Sequence, residues 1–510
     1  MKLNYKRTLL VGFAFFLICA FWQTYDTIIP KILTDKFGLS QKVSGLVMAA
    51  DNLLALFLLP WFGAISDKTK SRFGKRKPFV VIGTVIAIIA MIALTFADNA
   101  QLANLSPVSE DSRASLEVLY DAEPTIMITP EGGMEKQPLT SLVSREEFTS
   151  VFDLKESDER LYKEKYTSLV VPAREEYASR ATASDPLPLI CFAGILMVLL
   201  VAMGTFRSPA VALMPDVTPK PLRSKANAII NLMGALGGIL VLVLGILFGT
   251  GSDENLLMSY TSFFGVVALI MLVSLAVFML FVKEPKWADE ASRLTNDEEQ
   301  STDGGDRRLS KSEKISLALI LASVVLWYMG YNAVISKYSV YAGRVLALDY
   351  NTTLTVAQGA AIVSYLPIGI LSSKIGRKKS ILAGVAMLGV AFAAASFMRA
   401  GSSLAVMNVL FALAGIGWAT ISVNSYPMVV ELSKGSDVGK YTGFYYTASM
   451  AAQMITPVFS GVFLDISFTT LFPYAAIFVL GAFATMYFVK HGDCKPEAKI
   501  SIEALGAAED

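Results

Sequence analysis

The sequence predicts an all-α membrane protein: twelve transmembrane helices in two pseudo-symmetric six-helix bundles, with a small extracytoplasmic insert domain between helices 3 and 4. Three observations carry this expectation. Hydrophobic residues make up 54% of the 510-residue chain and charged residues 17%, with a mean hydropathy of +0.53, which is too apolar for a soluble chain of this length. Apolar stretches of about 20 residues, enough to cross a bilayer, recur along it. A loop pattern that begins at Gly63 returns at Gly369, which suggests a duplicated unit.

Taken in order, the spans fall near 8–30, 42–64, 79–97, 187–212, 225–249, 257–282, 315–342, 354–373, 380–398, 404–426, 441–465 and 470–489. Lys6 and Arg7 before the first apolar run imitate a signal peptide. That run continues past Trp22 and Ile29 without a small-residue cleavage site, so it reads as a retained first helix. The loops rich in cations are Lys68 to Lys77, then Lys220, Arg223 and Lys225, then Lys374, Arg377, Lys378 and Lys379. The short loops between them hold Asp253 and Glu254, or almost nothing. This positive-inside pattern places both termini in the cytoplasm and the protein in the plasma membrane.

The chain divides into helices 1–3 (1–97), the insert (98–186), helices 4–6 (187–283), a cytoplasmic linker (284–314), helices 7–12 (315–490) and a cytoplasmic tail (491–510). The insert carries 18 Asp and Glu against 9 Lys and Arg. Residues 126–133 read as a strand entering a turn, and Ser144 to Phe152 as a capped helix. The insert is either a solvated cover or a substrate- or partner-binding element, folding through its own core or by docking on the bundle. The halves repeat: 306 positions separate Gly63 from Gly369, but only 215 separate Asp216 from Glu431. A duplicated six-helix unit with one insertion of about the length of 98–186 accounts for both spacings. Such repeats are typical of secondary transporters, whose substrates bind near the midplane between halves.

Other classes find no support. The formal charge of +1 gives no reason to expect nucleic acid, and Cys19, Cys191 and Cys494 make no disulfide framework. No phosphate-binding loop occurs, and His491 is the only histidine. No ATP, metal or other cofactor is expected, and the chain does not read as an enzyme. A monomer is expected, powered by a proton or sodium gradient.

The first loop pattern runs from Gly63 to Pro78. Asp67 is followed at +5 by Arg72 and at +7 by Gly74, then by Lys75, Arg76, Lys77 and Pro78. The second copy holds Gly369, Gly376 and Arg377 but has Ser373 where the first has its aspartate. Asp216 and Glu431 close helices 4 and 10. Together these residues read as a gating latch at the membrane edge. The pattern resembles the major facilitator superfamily over essentially all of the chain outside 98–186. The spacing is similar to that of the proton-coupled sucrose transporter group, and Gly74 to Pro78 also fits the glycoside–pentoside–hexuronide:cation symporters. Arg207 to Asp216 resembles the sucrose group's helix-4 pattern, with the arginine one turn early, since Val211 holds the usual position. The resemblance implies cation-coupled symport of a sugar by alternating access, with Arg207 serving transport.

Charges inside a membrane are costly and by default mark a pathway or a functional pair. Asp26, Asp51 beside Asn52, Arg207 and Lys337 stand out. Asp51 lies about 24 Å along its helix from Asp67, and Arg207 about 13 Å inside the edge marked by Asp216. Asp26 could equally cap the outer end of helix 1, Asp51 could serve a structural ion pair, and Lys337 could snorkel outward. The repeat spacing pairs Asp26 with Asn332. Coupling without a membrane histidine must use carboxylates. Sugar recognition combines aromatic stacking with amides, which Trp22, Asn231, Trp327, Tyr331, Gln358, Trp418, Asn424, Tyr445 and Gln453 could supply. Each is also an ordinary packing or interface residue. Gly234, Gly237 and Gly238 read as close helix packing. Two rival readings stay open: export of a drug-like or metabolic solute by proton antiport, and a sensor that uses residues 98–186.

Overall fold

The computed structural model describes residues 4–110, 112–128, 135–218, 223–299, 310–432 and 438–493. Its long helices are α1 (Tyr5–Lys31), α2 (Gln41–Lys68), α3 (Lys77–Asn104), α4 (Leu187–Asp216), α5 (Arg223–Phe248) and α6 (Thr261–Phe281), then α7 (Lys311–Tyr341), α8 (Tyr350–Ile375), α9 (Arg377–Ala395), α10 (Leu404–Glu431), α11 (Val438–Ile466) and α12 (Leu471–Tyr487). Among the described residues, eleven helices are long and apolar enough to cross a membrane. The expected span 354–373 belongs to α8, which is not one of the eleven.

Helix starts follow local capping chemistry. Ser40 Oγ accepts the Val43 N–H at 3.3 Å to open α2, and Ser310 with Glu313 forms a reciprocal capping box on α7. Helix α1 is longer than the expected 8–30. It widens at Ile32–Lys36 and stops at Gly38, whose φ is +62°. Asp26 therefore sits inside α1 rather than capping its end. A side chain at Gly38 would strike the backbone of Glu175 and Ser179, so the glycine lets the insert pack on this corner.

Two separate apolar cores form. One gathers Leu17, Phe21, Met91, Met203, Phe264 and Phe278 from α1, α3, α4 and α6. The other gathers Trp327, Tyr338, Phe411, Phe472 and Met486 from α7, α10 and α12. The halves meet chiefly through α2 on α11, α5 on α8 and α1 on α7. In α5, Gly237 rests on the Phe16 carbonyl and Gly234 on the Cys19 sulfur, the close approach expected of them.

Residues between α3 and α4 build a third core from Leu105, Leu116, Leu119, Phe148, Tyr162 and Tyr166, joined by Leu256 and Leu257 of the α5–α6 loop. A short antiparallel strand pair, Thr125–Ile128 with Glu135–Pro138, lies at its edge. The turn expected after Ile128 lies outside the described residues. The helix capped by Ser144 is Arg145–Thr149, shorter than expected. After α6, the linker forms a helix, Glu284–Glu299. The end of the molecule that carries the insert is termed outer below, and the end that carries the Gly63–Pro78 loop inner.

Candidate functional site

Three helices of the first half bring charge together at the interface between halves. Asp26 of α1, Asp51 of α2 and Arg207 of α4 lie within electrostatic reach of one another. All three are half-buried. The Arg207 guanidinium lies over the Trp22 ring, 5.3 Å from its centroid. Asn52 donates to Asp51 Oδ1 at 2.6 Å and to the Gln453 carbonyl of α11 at 3.4 Å, so the acid is oriented by an amide that touches the other half.

The second half faces this cluster with aromatic side chains. Tyr331 stacks on Trp418 with centroids 3.7 Å apart and planes 1° apart, and Tyr328 meets the same Trp418 edge-on at 5.3 Å. Tyr331 is within electrostatic reach of Asp26, and Tyr328 and Tyr446 of Arg207. Tyr445 is buried and shares a 3.0 Å hydrogen bond with Ser425. Two buried donors at this interface, Trp22 Nε1 and Asn332 Nδ2, have no acceptor among the described residues. Gln358 donates to Gln23 across the halves. Asp26 and Asn332, paired by the repeat, are both half-buried.

Other candidates lie elsewhere. Trp327 is fully buried in the second core. Asn424 is buried and donates to Ser372 Oγ at 2.9 Å and the Thr420 carbonyl at 2.8 Å, a bond between α10 and α8. Gln453 Nε2 donates to the Ser449 carbonyl of its own helix. Lys337 neither snorkels nor joins the acids. It is buried in the outer seal and donates to the Gln41 carbonyl at 2.9 Å. There Asp465 of α11 accepts the Gln41 and Lys42 N–H groups, each at 3.1 Å, capping α2 from the opposite half. Asn231 is half-buried on α5.

At the inner end, Arg76 is the hub of the first latch. It is 6% exposed and joins Asp216 at 2.8 Å, Asp67, Ser66 and the Gly63 carbonyl at 3.4 Å. Burial works against its charge, but Asp216 and Asp67 outweigh it and leave its pKa raised. Asp67 itself is 62% exposed. Arg72 is exposed and lies over Phe73. Gly63 packs against Ser208 of α4, where a Cβ would approach its hydroxyl to 2.9 Å. Gly74, with φ +114°, lets the chain turn under Glu284. The buried Glu284 carboxylate accepts the N–H groups of Lys75 (2.6 Å), Arg76 (2.9 Å) and Lys77 (2.9 Å) at the start of α3. Lys77 Nζ in turn donates to the Met279 and Val282 carbonyls that end α6.

The second latch repeats this wiring. Gly376 has φ +94°, and Asp493 accepts the Arg377 and Lys378 N–H groups at 2.6 and 3.2 Å. Lys378 Nζ donates to the Tyr487 and Val489 carbonyls at the end of α12. Arg377 reaches the Pro427 carbonyl of α10 at 3.2 Å. Gly369 is exposed, with nothing among the described residues within 4 Å of where its Cβ would be. The side chains of Ser373 and Glu431 lie outside the described ones. Sequence reasoning missed Glu284 and Asp493. Their signal was the repeat itself, since each is an acid a few residues past the last span of its half.

Comparison with known proteins follows this geometry. The family described as Major Facilitator Superfamily matches residues 181–360 and 346–504, and the family described as MFS/sugar transport protein matches residues 10–107. The chain is 30% identical over 85 residues to the uncharacterized symporter YnaJ of Bacillus subtilis (strain 168), a stretch covering 16% of this chain and 18% of that protein. The fold is similar to the inward-open xylose transporter XylE from E. coli, with a TM-score of 0.60 at 13% identity over 98% of this chain and 100% of that one. It is also similar to a POT family transporter in complex with 5-aminolevulinic acid, with a TM-score of 0.60 at 9% identity over 95% of each chain. A non-enzymatic, multi-pass secondary transporter working by alternating access is the activity these matches support, and the chain belongs to the major facilitator superfamily.

Proposed function

We propose that this transporter is a cation-coupled symporter of a sugar or glycoside, with the proton as coupling ion. It works as a monomer in the plasma membrane with both termini cytoplasmic, and α8 completes twelve spans in two halves around one central path. The observation that carries the reading is the pairing of Asp26, Asp51 and Arg207 with an aromatic wall across the interface. Two acids beside one guanidinium leave one negative charge unmatched. One proton taken up by the pair makes the set neutral, which lowers the cost of passing through an occluded state. The flat Tyr331–Trp418 pair offers a stacking surface, and Trp22 Nε1 and Asn332 Nδ2 offer donors that a hydroxylated ligand could satisfy. The spacing of the first latch and the match of residues 10–107 to a sugar-transport family lend support. The latches hold the inner end of each half and do not select the solute. The insert is the part this reading leaves without a task.

The test is uptake of labelled sugars by proteoliposomes with and without a proton gradient. Sugar-dependent proton movement is expected. Its absence across a broad panel sinks the coupling claim, and competition by apolar organic cations points instead to a drug-like solute.

A further inference from the structure

We infer that the insert between α3 and α4 is an external clamp. It grips the second half by an ion pair and holds the outer end closed while the transporter faces inward.

The insert is fastened to the first half at several points. The corner it rests on is fixed by Lys36 at the end of α1, which bonds both carboxylate oxygens of Asp98 in α3 at 2.6 and 2.7 Å, with both side chains fully buried. Gln101 of α3 links the Lys36 carbonyl (2.8 Å) to Thr182 of the insert (3.0 Å). The insert's last helix packs on Gly38, and Leu256 and Leu257 of the α5–α6 loop join its core. Lys155 pairs with Glu254 of the same loop at 3.0 Å. An element held this way moves with the first half.

It also touches the second half. Glu175 on the insert's last helix pairs with Arg344 on the extension that follows α7, and their side chains are 26% and 12% exposed. Arg344 is within electrostatic reach of Asp35 at the end of α1 as well, so two acids of the first half hold one cation of the second. Beside this pair the bundle itself is sealed. Thr250 of the α5–α6 loop bonds the Tyr350 hydroxyl at 2.9 Å, and Lys337 and Asp465 hold the start of α2. Alternating access requires the outer ends to part. Arg344 then leaves Glu175, and both lose a partner in a site with little water. A bond present only in the closed arrangement shifts the equilibrium toward it by its own free energy. The clamp lies on the outer surface, away from Asp26, Asp51 and Arg207, so it sets the balance of states and not the coupling chemistry.

The test uses the full chain in nanodiscs, with Cys19, Cys191 and Cys494 replaced by serine and Thr250→Cys as reporter. Thr250 is 1% exposed at the outer seam, so its reaction with a water-soluble maleimide reports outer opening. Glu175→Gln should speed labelling by about tenfold, as expected for removing one partner of a partly buried pair, and Arg344→Met, which also loses Asp35, by at least as much. Their combination should be no faster than Arg344→Met alone, and Arg344→Lys should stay near the parent rate. Parent-like labelling in the single variants overturns the clamp, as does a double variant whose increase is the product of the two. If Arg344→Met fails to reach the membrane, Glu175→Gln, at the more exposed position, decides alone. Loss of sugar uptake without any change in labelling also counts against it.

Discussion

Glu284→Ala is the most telling perturbation, because it removes a single carboxylate that holds three backbone donors. The side chain is 3% exposed and accepts from Lys75, Arg76 and Lys77 at 2.6–2.9 Å. Truncation leaves those N–H groups without an acceptor where α3 begins, and places the α3 end of the helix dipole opposite no charge. Water can reach part of this loop, so each lost bond counts for about 1 kcal/mol rather than the larger figure for charged pairs, or about 3 kcal/mol in all. For a unit the size of one half, about 2 °C per kcal/mol gives a fall in Tm of about 6 °C. The assay is thermal unfolding of the purified full-length protein followed by tryptophan fluorescence, with Trp287, three residues on in the same helix, as a nearby reporter. Glu284→Gln keeps one acceptor oxygen and should recover part of the loss. A Tm for Glu284→Ala within about 1 °C of the parent refutes the argument, because it means the cap contributes almost nothing.

The other latch and site residues lead to three further expectations. The exposed Asp67 pairs with Arg76 for at most about 1 kcal/mol, so Asp67→Asn should slow exchange between inward- and outward-facing states no more than about fivefold and leave substrate affinity intact. Arg76→Gln loses four partners at once and should slow it further; equal effects in a counterflow assay contradict the hub. Arg207→Ala should abolish coupling or substrate affinity while the protein still inserts, and wild-type symport in proteoliposomes shows the arginine is not used. Asn424→Ala should lower stability by about 1 kcal/mol through loss of its bond to Ser372, with unchanged substrate affinity; a large rise in KM restores it as a binding residue.

Much of the frame was legible in the chain. Span length and cation placement are properties of contiguous stretches, so the apolar helices and the inner loops stood out without tertiary information. Asp26, Asp51 and Arg207 stood out because a charge in an apolar run is costly wherever its helix packs. Which aromatic residues face them did not. Trp327 and Trp418 look equivalent in sequence, yet one is core and the other stacks on Tyr331 at the interface. Lys337 stood out only as a charge in an apolar run, and it is α7 that carries it to the outer seam and the Gln41 carbonyl. Glu284 and Asp493 passed as linker and tail residues because their partners lie about two hundred and one hundred positions away.

What the sequence by itself determined, then, is whatever depends on local composition: the apolar helices, the repeat, the acidic insert and the presence of two acids and an arginine in the membrane. Tertiary structure decided which side of each helix meets another half. A few degrees of helix rotation turn a side chain from core to interface, and no run of twenty residues encodes that angle. The insert shows it most clearly. Its acidity was plain from composition, but that Glu175 among its acids reaches Arg344 of the other half follows only from how Gly38 lets the insert settle on the outer corner.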